Sequence, residues 1–303
     1  MSQLFLKYEY YVAALQLILA MTGMGATLAG RDFHELIRSP KSIAWGLLVQ
    51  VVGIPLLAWL IIRGLDLPAS LAVGLAIVAC VPGGSMSNIL SYFARGNIAL
   101  SIALTGVTTV ICLVTAPLIL HSLTAGLLSA SAEIPVQRIA FEIFVLLLLP
   151  LTTGMLIRRH RPDIAKRIAK PLVRASLVIV LVMAVGIGTA GRIDPAAFGW
   201  IGPALIFGFG FAAFAIGFFP GSLLGVPRRD RIAIGIESCF RNTSLGILIK
   251  ASILPAIPGV VDPIADGAIF VVLLYGGVSL SVCVPAMFWH RRLSQNGAAE
   301  SRG

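Results

Sequence analysis

The chain has 303 residues, of which 58% are hydrophobic and only 12% are charged, and its mean hydropathy is +0.96. An ordinary soluble domain carries about 25% charged residues, so the charges here are too few to cover the surface of a water-soluble globule. The composition therefore predicts that lipid surrounds most of the exterior. The net charge of +10 does not indicate a nucleic-acid partner, because the basic residues lie in short loops between apolar segments.

Nine segments are long and apolar enough to cross a bilayer, which takes about 20 residues of helix. They cover residues 9–29, 42–62, 69–93, 98–121, 138–157, 172–190, 199–224, 232–251 and 264–288. We therefore predict an all-α polytopic membrane protein of about nine transmembrane helices. It forms one transporter-sized domain with halves at about 9–121 and 138–288, and residues 289–303 form a cytoplasmic tail.

The distribution of basic residues predicts the orientation. Cytoplasmic loops are enriched in lysine and arginine. With the N-terminus outside, 17 of the 23 lysines and arginines fall in cytoplasmic segments and 5 in outer segments, including Lys250. The largest cluster has seven cations between Arg158 and Arg174. We expect an inner (plasma) membrane protein of a bacterium, with the N-terminus outside and the C-terminus in the cytoplasm.

The third span is interrupted at its centre by Pro82, Gly83 and Gly84. Proline removes a backbone donor, and glycine weakens a helix by about 1 kcal/mol. The polar residues Ser85, Ser87 and Asn88 follow at once. One interpretation is a kinked helix with small residues at a packing face. The other is a discontinuous helix whose freed backbone groups bind a ligand.

The eighth span carries charges at its centre. Its polar residues are Glu237, Ser238, Arg241, Asn242, Thr243 and Ser244. A charge at mid-membrane costs at least about 2.5–3.5 kcal/mol, so it is retained where it pairs or faces a polar cavity. Glu237 and Arg241 are spaced i, i+4, which allows an ion pair within the span. A purely structural ion pair leaves the four neighbouring polar residues unexplained.

The two interrupted spans cross the membrane in opposite directions, and Asn88 and Asn242 are 154 residues apart, about half the chain. This arrangement indicates an inverted repeat with broken helices at matching positions. Crossing breaks would place oxygen atoms around a cation and helix N-termini near an anion. The break residues Pro82, Gly83, Asn242 and Thr243 are therefore candidate substrate contacts.

The stretch Val81–Val110, with its Gly-Gly-Ser-x-Ser-Asn start and Ala-Arg-Gly-Asn loop, resembles the bile acid:sodium symporter family. Gln50 before Pro55 and the segment around Glu237 and Asn242 match as well, and the resemblance covers most of the chain. It implies two halves of five helices arranged as a panel domain and a core domain. On this resemblance we expect the chain to lack the first helix of that arrangement, as the nine-span animal members do.

The resemblance also implies sodium sites behind the crossing helices. The first would use Ser87, Asn88, Ser101, Thr105 and Glu237. Ser101 and Thr105 are spaced i, i+4, so both hydroxyls face one side of the fourth span. One carboxylate with hydroxyl and amide oxygens suits a hard monovalent cation better than a transition metal.

A second sodium site would use Gln50 and Glu237 with oxygens near Ser238, Phe240 and Arg241. The chain departs from the family here, because the position of Arg241 is usually a glutamine. A guanidinium has donors only and stays charged, so it cannot coordinate sodium. Arg241 either replaces the second ion as a tethered charge or extends toward a membrane interface.

Sodium-coupled uptake of an organic anion, bile-acid-like or a small carboxylate, is the function that the resemblance implies, with no cofactor beyond the coupling ion. An efflux carrier of the same general fold is an alternative, and Cys80 before the break would suit an arsenite carrier. A sodium-independent anion carrier, a channel and a sensor also stay open. An intramembrane hydrolase using Ser85 or Ser87 lacks a base, because the four histidines lie at span ends or in loops. The sequence does not predict the oligomeric state.

Overall fold

The computed structural model describes residues 2–28, 38–84, 86–128, 135–189, 199–255 and 260–300, whose regular structure is helical. The helices are α1 (Ser2–Gly25), α2 (Pro40–Gly64), α3 (Ala69–Cys80), α4 (Met86–Phe93), α5 (Ile98–Thr124), α6 (Val136–His160), α7 (Pro162–Thr189), α8 (Ile201–Phe218), α9 (Arg228–Cys239), α10 (Thr243–Ile253) and α11 (Pro263–Glu300). Helices α2 and α6 each contain a π-helical turn, at Val49–Gly53 and Phe144–Leu148.

Six of the described helices are long and apolar enough to cross a membrane, namely α2, α5, α6, α7, α8 and α11. The protein is therefore a polytopic helical membrane protein. The other three predicted spans correspond to α1, to α3 followed by α4, and to α9 followed by α10. Helices α3 and α10 are apolar but have only 12 and 11 residues, because each begins or ends at a break.

Some predicted bounds were wrong. Helix α7 begins at Pro162 rather than at residue 172, and only Arg161 separates it from α6, so the predicted basic loop consists mostly of helix ends. Helix α11 continues to Glu300, so most of the predicted tail prolongs a helix. Ser85 lies outside the described residues, as do Arg31, Arg192 and Arg302, which are three of the lysines and arginines counted above in the cytoplasmic and outer segments.

The breaks in the two interrupted spans lie against each other. The backbone nitrogen of Gly84 donates to the carbonyl of Phe240 (2.8 Å), and that of Asn242 donates to the carbonyl of Pro82 (2.8 Å). Gly83 and Arg241 form a single antiparallel bridge. Each break therefore satisfies backbone groups that the other leaves free, as a structure inside a membrane requires. Both spans are discontinuous helices rather than kinked ones.

The helices form two packing groups. Helices α1, α6 and α7 pack together, and α2–α5 pack with α8–α11. The groups meet where α1 packs on α10 and where α5 packs on α6. In the first group, α1 and α6 cross closely at Gly25 and Gly154, where an added Cβ would overlap the backbone of the facing helix. In the second, α3 is buried from Leu71 to Cys80, which explains why it is apolar on all sides.

Candidate ion and substrate site

The Glu237 side chain lies at the centre of a cluster of hydroxyl groups. It is on the last turn of α9 and is fully buried. Its carboxylate accepts hydrogen bonds from Ser87 of α4, from Ser101 of α5 (Oγ to Oε2, 3.0 Å) and from Thr105 of α5 (Oγ1 to Oε1, 2.5 Å). Three helices that are distant in the chain therefore place neutral oxygens around one buried carboxylate.

Asn88 completes this cluster, since its Oδ1 accepts a weak hydrogen bond from Thr105 Oγ1 at 3.4 Å. Ser101 and Thr105 lie one turn apart on α5 and reach the same carboxylate, as their spacing predicted. The structure thus brings together all five residues predicted for the first cation site. Carboxylate, amide and hydroxyl oxygens are the ligand types that hard cations prefer.

Gly83 contacts this cluster from the break between α3 and α4. A Cβ at this position would overlap the Glu237 carboxylate. The sequence predicted Gly83 as a substrate contact, whereas the structure places it directly against the carboxylate of the predicted ion site. Its lack of a side chain is what lets the two breaks approach each other.

Arg241 lies in the second break, beyond the end of α9 at Cys239, and is 2% exposed. Its guanidinium donates to Gln50 Oε1 (3.2 Å), to the carbonyl of Ala79 (3.2 Å) and to the carbonyl of Val81. The carbonyls belong to the C-terminal end of α3, the negative end of the helix dipole. The cation therefore sits among neutral oxygens, as Glu237 sits among neutral hydroxyls.

The predicted i, i+4 ion pair is not formed. Neither the hydrogen bonds nor the ion pairs of the described residues join Arg241 to Glu237. The spacing argument assumed a continuous helix, and the helix ends between the two residues. The proposed extension of Arg241 toward a membrane interface is also wrong, since the side chain stays buried at the crossing.

The remaining predicted second-site residues surround Arg241 and Glu237. Gln50 is buried in the π-helical turn of α2, and its amide oxygen accepts from Arg241. Phe240 contributes its carbonyl to the pairing of the breaks. The Ser238 hydroxyl is buried and has no hydrogen-bond partner among the described residues.

A cavity of about 370 Å³ lies between the two packing groups, beside the crossing. Met86 at the start of α4 and Asn242, Thr243 and Ser244 at the start of α10 form one side of it, and Arg241 also faces it. The two helix N-termini favour a negatively charged ligand, whereas the guanidinium of Arg241 is bonded to Gln50 and to the end of α3. Helix α7 contributes a mostly apolar wall in which Ser176 is the polar residue.

The predicted substrate contacts divide between different places. Asn242 and Thr243 line this cavity, although the Asn242 side chain also caps α10 by accepting from the backbone nitrogen of Leu245 (3.1 Å). Pro82 instead lines a much smaller cavity next to Gln50 and Arg241. The structure therefore separates Pro82 and Gly83 from the larger cavity.

Two further polar features were not predicted. Gln16 of α1 lines the cavity and donates from Nε2 to Ser244 Oγ (2.8 Å). Glu9 of α1 and Lys250 of α10 form a buried ion pair with Nζ–Oε distances of 3.0 and 3.2 Å. Lys250 was assigned to an outer segment, but it lies in the last turn of α10 and is 2% exposed. In the sequence, Gln16 could have been recognised because it is the one polar residue in the apolar run from Val12 to Met21.

Comparison with known proteins identifies the family of this chain. The sequence model of the Sodium Bile acid symporter family matches residues 14–194, more than half of the chain. The chain belongs to this family. The matched residues include Gln16, Gln50, the first break and the Ser101–Thr105 turn, whereas the second break lies beyond them.

Individual members of the Sodium Bile acid symporter family are similar over longer stretches. The uncharacterized sodium-dependent transporter YocS of Bacillus subtilis is 32% identical over 80% of this chain and 75% of its own length. The probable chloroplastic sodium/metabolite cotransporter BASS2 of Oryza sativa subsp. japonica is 31% identical over 90% of this chain, which spans 62% of that protein. The human ileal sodium/bile acid cotransporter is 31% identical over 80% of this chain and 70% of its own length.

Proposed function

We propose that this protein is a secondary transporter that couples the uptake of an organic anion to sodium by alternating access. The observation that carries the proposal is Glu237, a fully buried carboxylate whose partners are the neutral hydroxyls of Ser87, Ser101 and Thr105. The similar proteins named as sodium-dependent transporters or sodium cotransporters support the same conclusion.

The electrostatics of Glu237 favour a bound cation. An ionised carboxylate removed from water costs several kcal/mol, about as much as a good ion pair regains. No described cationic side chain is paired with this carboxylate. A sodium ion among Glu237, Ser87, Asn88, Ser101 and Thr105 would supply the missing positive charge and would tie α4, α5 and α9 together. Binding of the ion would thereby stabilise the crossing that forms the edge of the cavity.

The substrate we propose is an anion, bile-acid-like or a small carboxylate. The cavity combines an apolar wall with two helix N-termini and Arg241, and it is lined by no aspartate or glutamate among the described residues. A carboxylate would bind near Asn242 and Thr243, and its apolar part would face α7. Sodium and substrate would then bind on opposite sides of the same crossing, which is the physical basis of the coupling.

Arg241 sets the proposed ion stoichiometry. Its guanidinium already lies among three oxygens, those of Gln50, Ala79 and Val81, which could otherwise coordinate an ion. We propose that this tethered charge takes the place of a second sodium, so that transport uses at most one. A sodium-independent anion carrier is the second candidate, and Arg241 is the observation that favours it, because a fixed charge needs no coupling ion.

The proposed architecture has nine spans in an inverted repeat, in a bacterial inner membrane. Helices α1, α6 and α7 would form the panel, and α2–α5 with α8–α11 the core. The N-terminus would be outside and the C-terminus in the cytoplasm.

Cysteine labelling tests this orientation. The four native cysteines are buried, so only an introduced cysteine should react with a thiol reagent. In intact cells, Leu65→Cys should react with an impermeant thiol reagent and Lys166→Cys should not; the reverse pattern would contradict this orientation.

Uptake into proteoliposomes tests the function itself. A screen of organic anions by thermal unfolding, with sodium or with potassium, would first identify a ligand. An inward sodium gradient should then drive accumulation of that anion above its equilibrium level, and Glu237→Gln should abolish the accumulation. Accumulation that is equal in sodium and potassium would support the sodium-independent carrier, and equilibration without accumulation would indicate a channel.

A further inference from the structure

Helix α7 is the least buried of the helices that could cross a membrane. Only 17% of the residues in its most apolar stretch are buried, against 39–56% in the other five such helices that the structure describes. Ala169, Ser176 and Met183 are buried and recur every seven residues, so they lie on one face, and α7 packs on α1 and α6. The opposite face of α7 is therefore left to the surrounding lipid.

This opposite face changes from cationic to apolar along the helix. Arg167, Lys170 and Arg174 are exposed near the start of α7, and Val178 and Val185 are exposed farther along. Steps of three, four and seven residues place all five side chains on one stripe of the helix, which we call the α7 stripe.

The length of the α7 stripe matches one leaflet of a bilayer. Arg174 and Val185 are 11 residues apart, which is about 16 Å along an α-helix. Half of the hydrocarbon core of a bilayer is about 15 Å thick. With the cations at the depth of the lipid headgroups, the two valines therefore lie at the depth of the acyl chains of the same leaflet.

The cations of the α7 stripe belong to a larger cluster that the protein leaves without neutralising partners. Residues 158–174 contain seven lysines and arginines and a single carboxylate, that of Asp163. The ion pairs between described residues include none of these side chains. Arg158 donates to the carbonyl of Ala26 (3.3 Å), and the other six cations are exposed. The end of α6 and the start of α7 therefore form a surface with a strong attraction for anionic groups.

We propose that the α7 stripe binds an anionic phospholipid, whose phosphate contacts Arg167, Lys170 and Arg174 and whose acyl chain lies along Val178 and Val185. Guanidinium and ammonium groups form charge-assisted hydrogen bonds with phosphate oxygens. The apolar half of the stripe favours a lipid over a soluble polyanion, because only the lipid has an alkyl chain to cover it. A second copy of the chain docked through the same surface would bring like charges together. This binding is separate from the proposed binding of sodium and of the transported anion.

The test compares two lipids with the same acyl chains on the purified full-length protein in a non-ionic detergent. Native mass spectrometry and thermal unfolding should both show binding of dioleoyl phosphatidylglycerol and much weaker binding of dioleoyl phosphatidylcholine, equally in sodium and in potassium. A cation beside an anionic lipid surface contributes about 5-fold in affinity. The triple variant Arg167→Gln, Lys170→Gln, Arg174→Gln should therefore bind phosphatidylglycerol about 100-fold more weakly than the wild type.

The matched control removes three cations from other helices. The variant Lys41→Gln, Arg291→Gln, Arg292→Gln has the same net charge as the triple variant, with its changes at the start of α2 and on α11, and should keep the wild-type affinity. The variant Arg167→Lys, Arg174→Lys keeps the charge of the stripe and should bind within a few fold of the wild type. If the triple variant does not fold, the three single variants provide the same comparison, each with a loss of about 5-fold.

Three results would overturn the proposal. They are equal binding of the two lipids, undiminished binding of phosphatidylglycerol by the α7 variants, and an equal loss of binding in the control variant. Glycerol 3-phosphate, which has the phosphate without acyl chains, separates a lipid site from a site for soluble phosphate. It should not displace the lipid at equal concentration, and binding as tight as that of phosphatidylglycerol would contradict the assignment to a lipid.

Discussion

Two buried carboxylates of this protein are neutralised in different ways. Glu9 forms a direct ion pair with Lys250 between α1 and α10. Glu237 has neutral hydroxyl partners, and the nearby cation Arg241 is bonded to other oxygens. The Glu9–Lys250 pair is electrically complete without any ligand, whereas the site around Glu237 lacks a positive charge. A permanent partner suits a structural contact, whereas an incomplete site suits a carboxylate that exchanges an ion.

The largest expected effect is on the complete pair. Glu9→Gln would leave Lys250 charged and buried without its partner, and removal of one member of a buried pair costs about 3–5 kcal/mol of unfolding free energy. The double variant with Lys250→Met should recover most of the lost unfolding free energy, because it contains no unpaired buried charge. Equilibrium unfolding in a mild detergent measures both variants. The loss should be equal in sodium and in potassium, and a single variant as stable as the wild type would show that the pair contributes nothing.

Glu237 should behave in the opposite way. In potassium, Glu237→Gln should be at least as stable as the wild type, because a neutral amide carries no charge to bury. In sodium at about 100 times its Kd, the wild type should gain about 2.7 kcal/mol and the variant nothing.

The control for this experiment is Glu142→Gln, which alters a carboxylate of α6 that is paired with Arg138 rather than with the hydroxyl cluster, and it should keep the sodium response. Thermal unfolding against sodium concentration provides the measurement. Undiminished stabilisation of Glu237→Gln by sodium would mean that the ion binds elsewhere.

Arg241→Gln sharpens the comparison because it removes the guanidinium from the oxygens of Gln50, Ala79 and Val81 and leaves them free to coordinate an ion. The number of interacting sites limits the Hill coefficient, so sodium-dependent substrate binding should have a coefficient near 1 in the wild type and rise toward 2 in the variant. Arg241→Lys keeps the charge, and its coefficient should stay near 1. Clear two-sodium cooperativity in the wild type would show that Arg241 does not replace an ion.

The smallest effects are expected from single hydroxyls around Glu237. Thr105→Val and Ser101→Ala each remove one neutral oxygen, so each should weaken sodium binding about 3- to 10-fold, in the range of one hydrogen bond. Ser91→Ala provides the comparison, since its hydroxyl bonds to Ser101 rather than to the carboxylate. A sodium titration of thermal unfolding checks all three, and equal affinities in all of them would exclude these hydroxyls as ligands.

The cluster around Glu237 was predictable because its signals are local. A glutamate inside an apolar span is conspicuous, hydroxyls at i, i+4 share a helix face, and the Pro-Gly-Gly interruption marks a break. The family resemblance then indicated which of these residues meet. The ion pair between Glu237 and Arg241 was wrongly considered for the same reason, since helical spacing has no meaning across a break.

The contacts of Gln16 and of Glu9 could not be predicted in this way. Their partners Ser244 and Lys250 are 228 and 241 residues away in the chain. Such pairs exist only once α1 packs on α10, and one sequence contains no periodic pattern that encodes that packing. Lys250 was therefore counted as a loop cation, although the structure buries it.

The sequence by itself determined that this is a helical membrane protein with two interrupted apolar segments, one of which carries a carboxylate, because the cost of placing charges and free backbone groups in lipid acts on each segment separately. Only the tertiary structure decided that Arg241 turns toward the end of α3 and that Gln16 faces a cavity beside α10. Those outcomes depend on which oxygen atoms lie within about 3 Å of each group, the range of a hydrogen bond. Distant segments reach such distances only when the helices are packed.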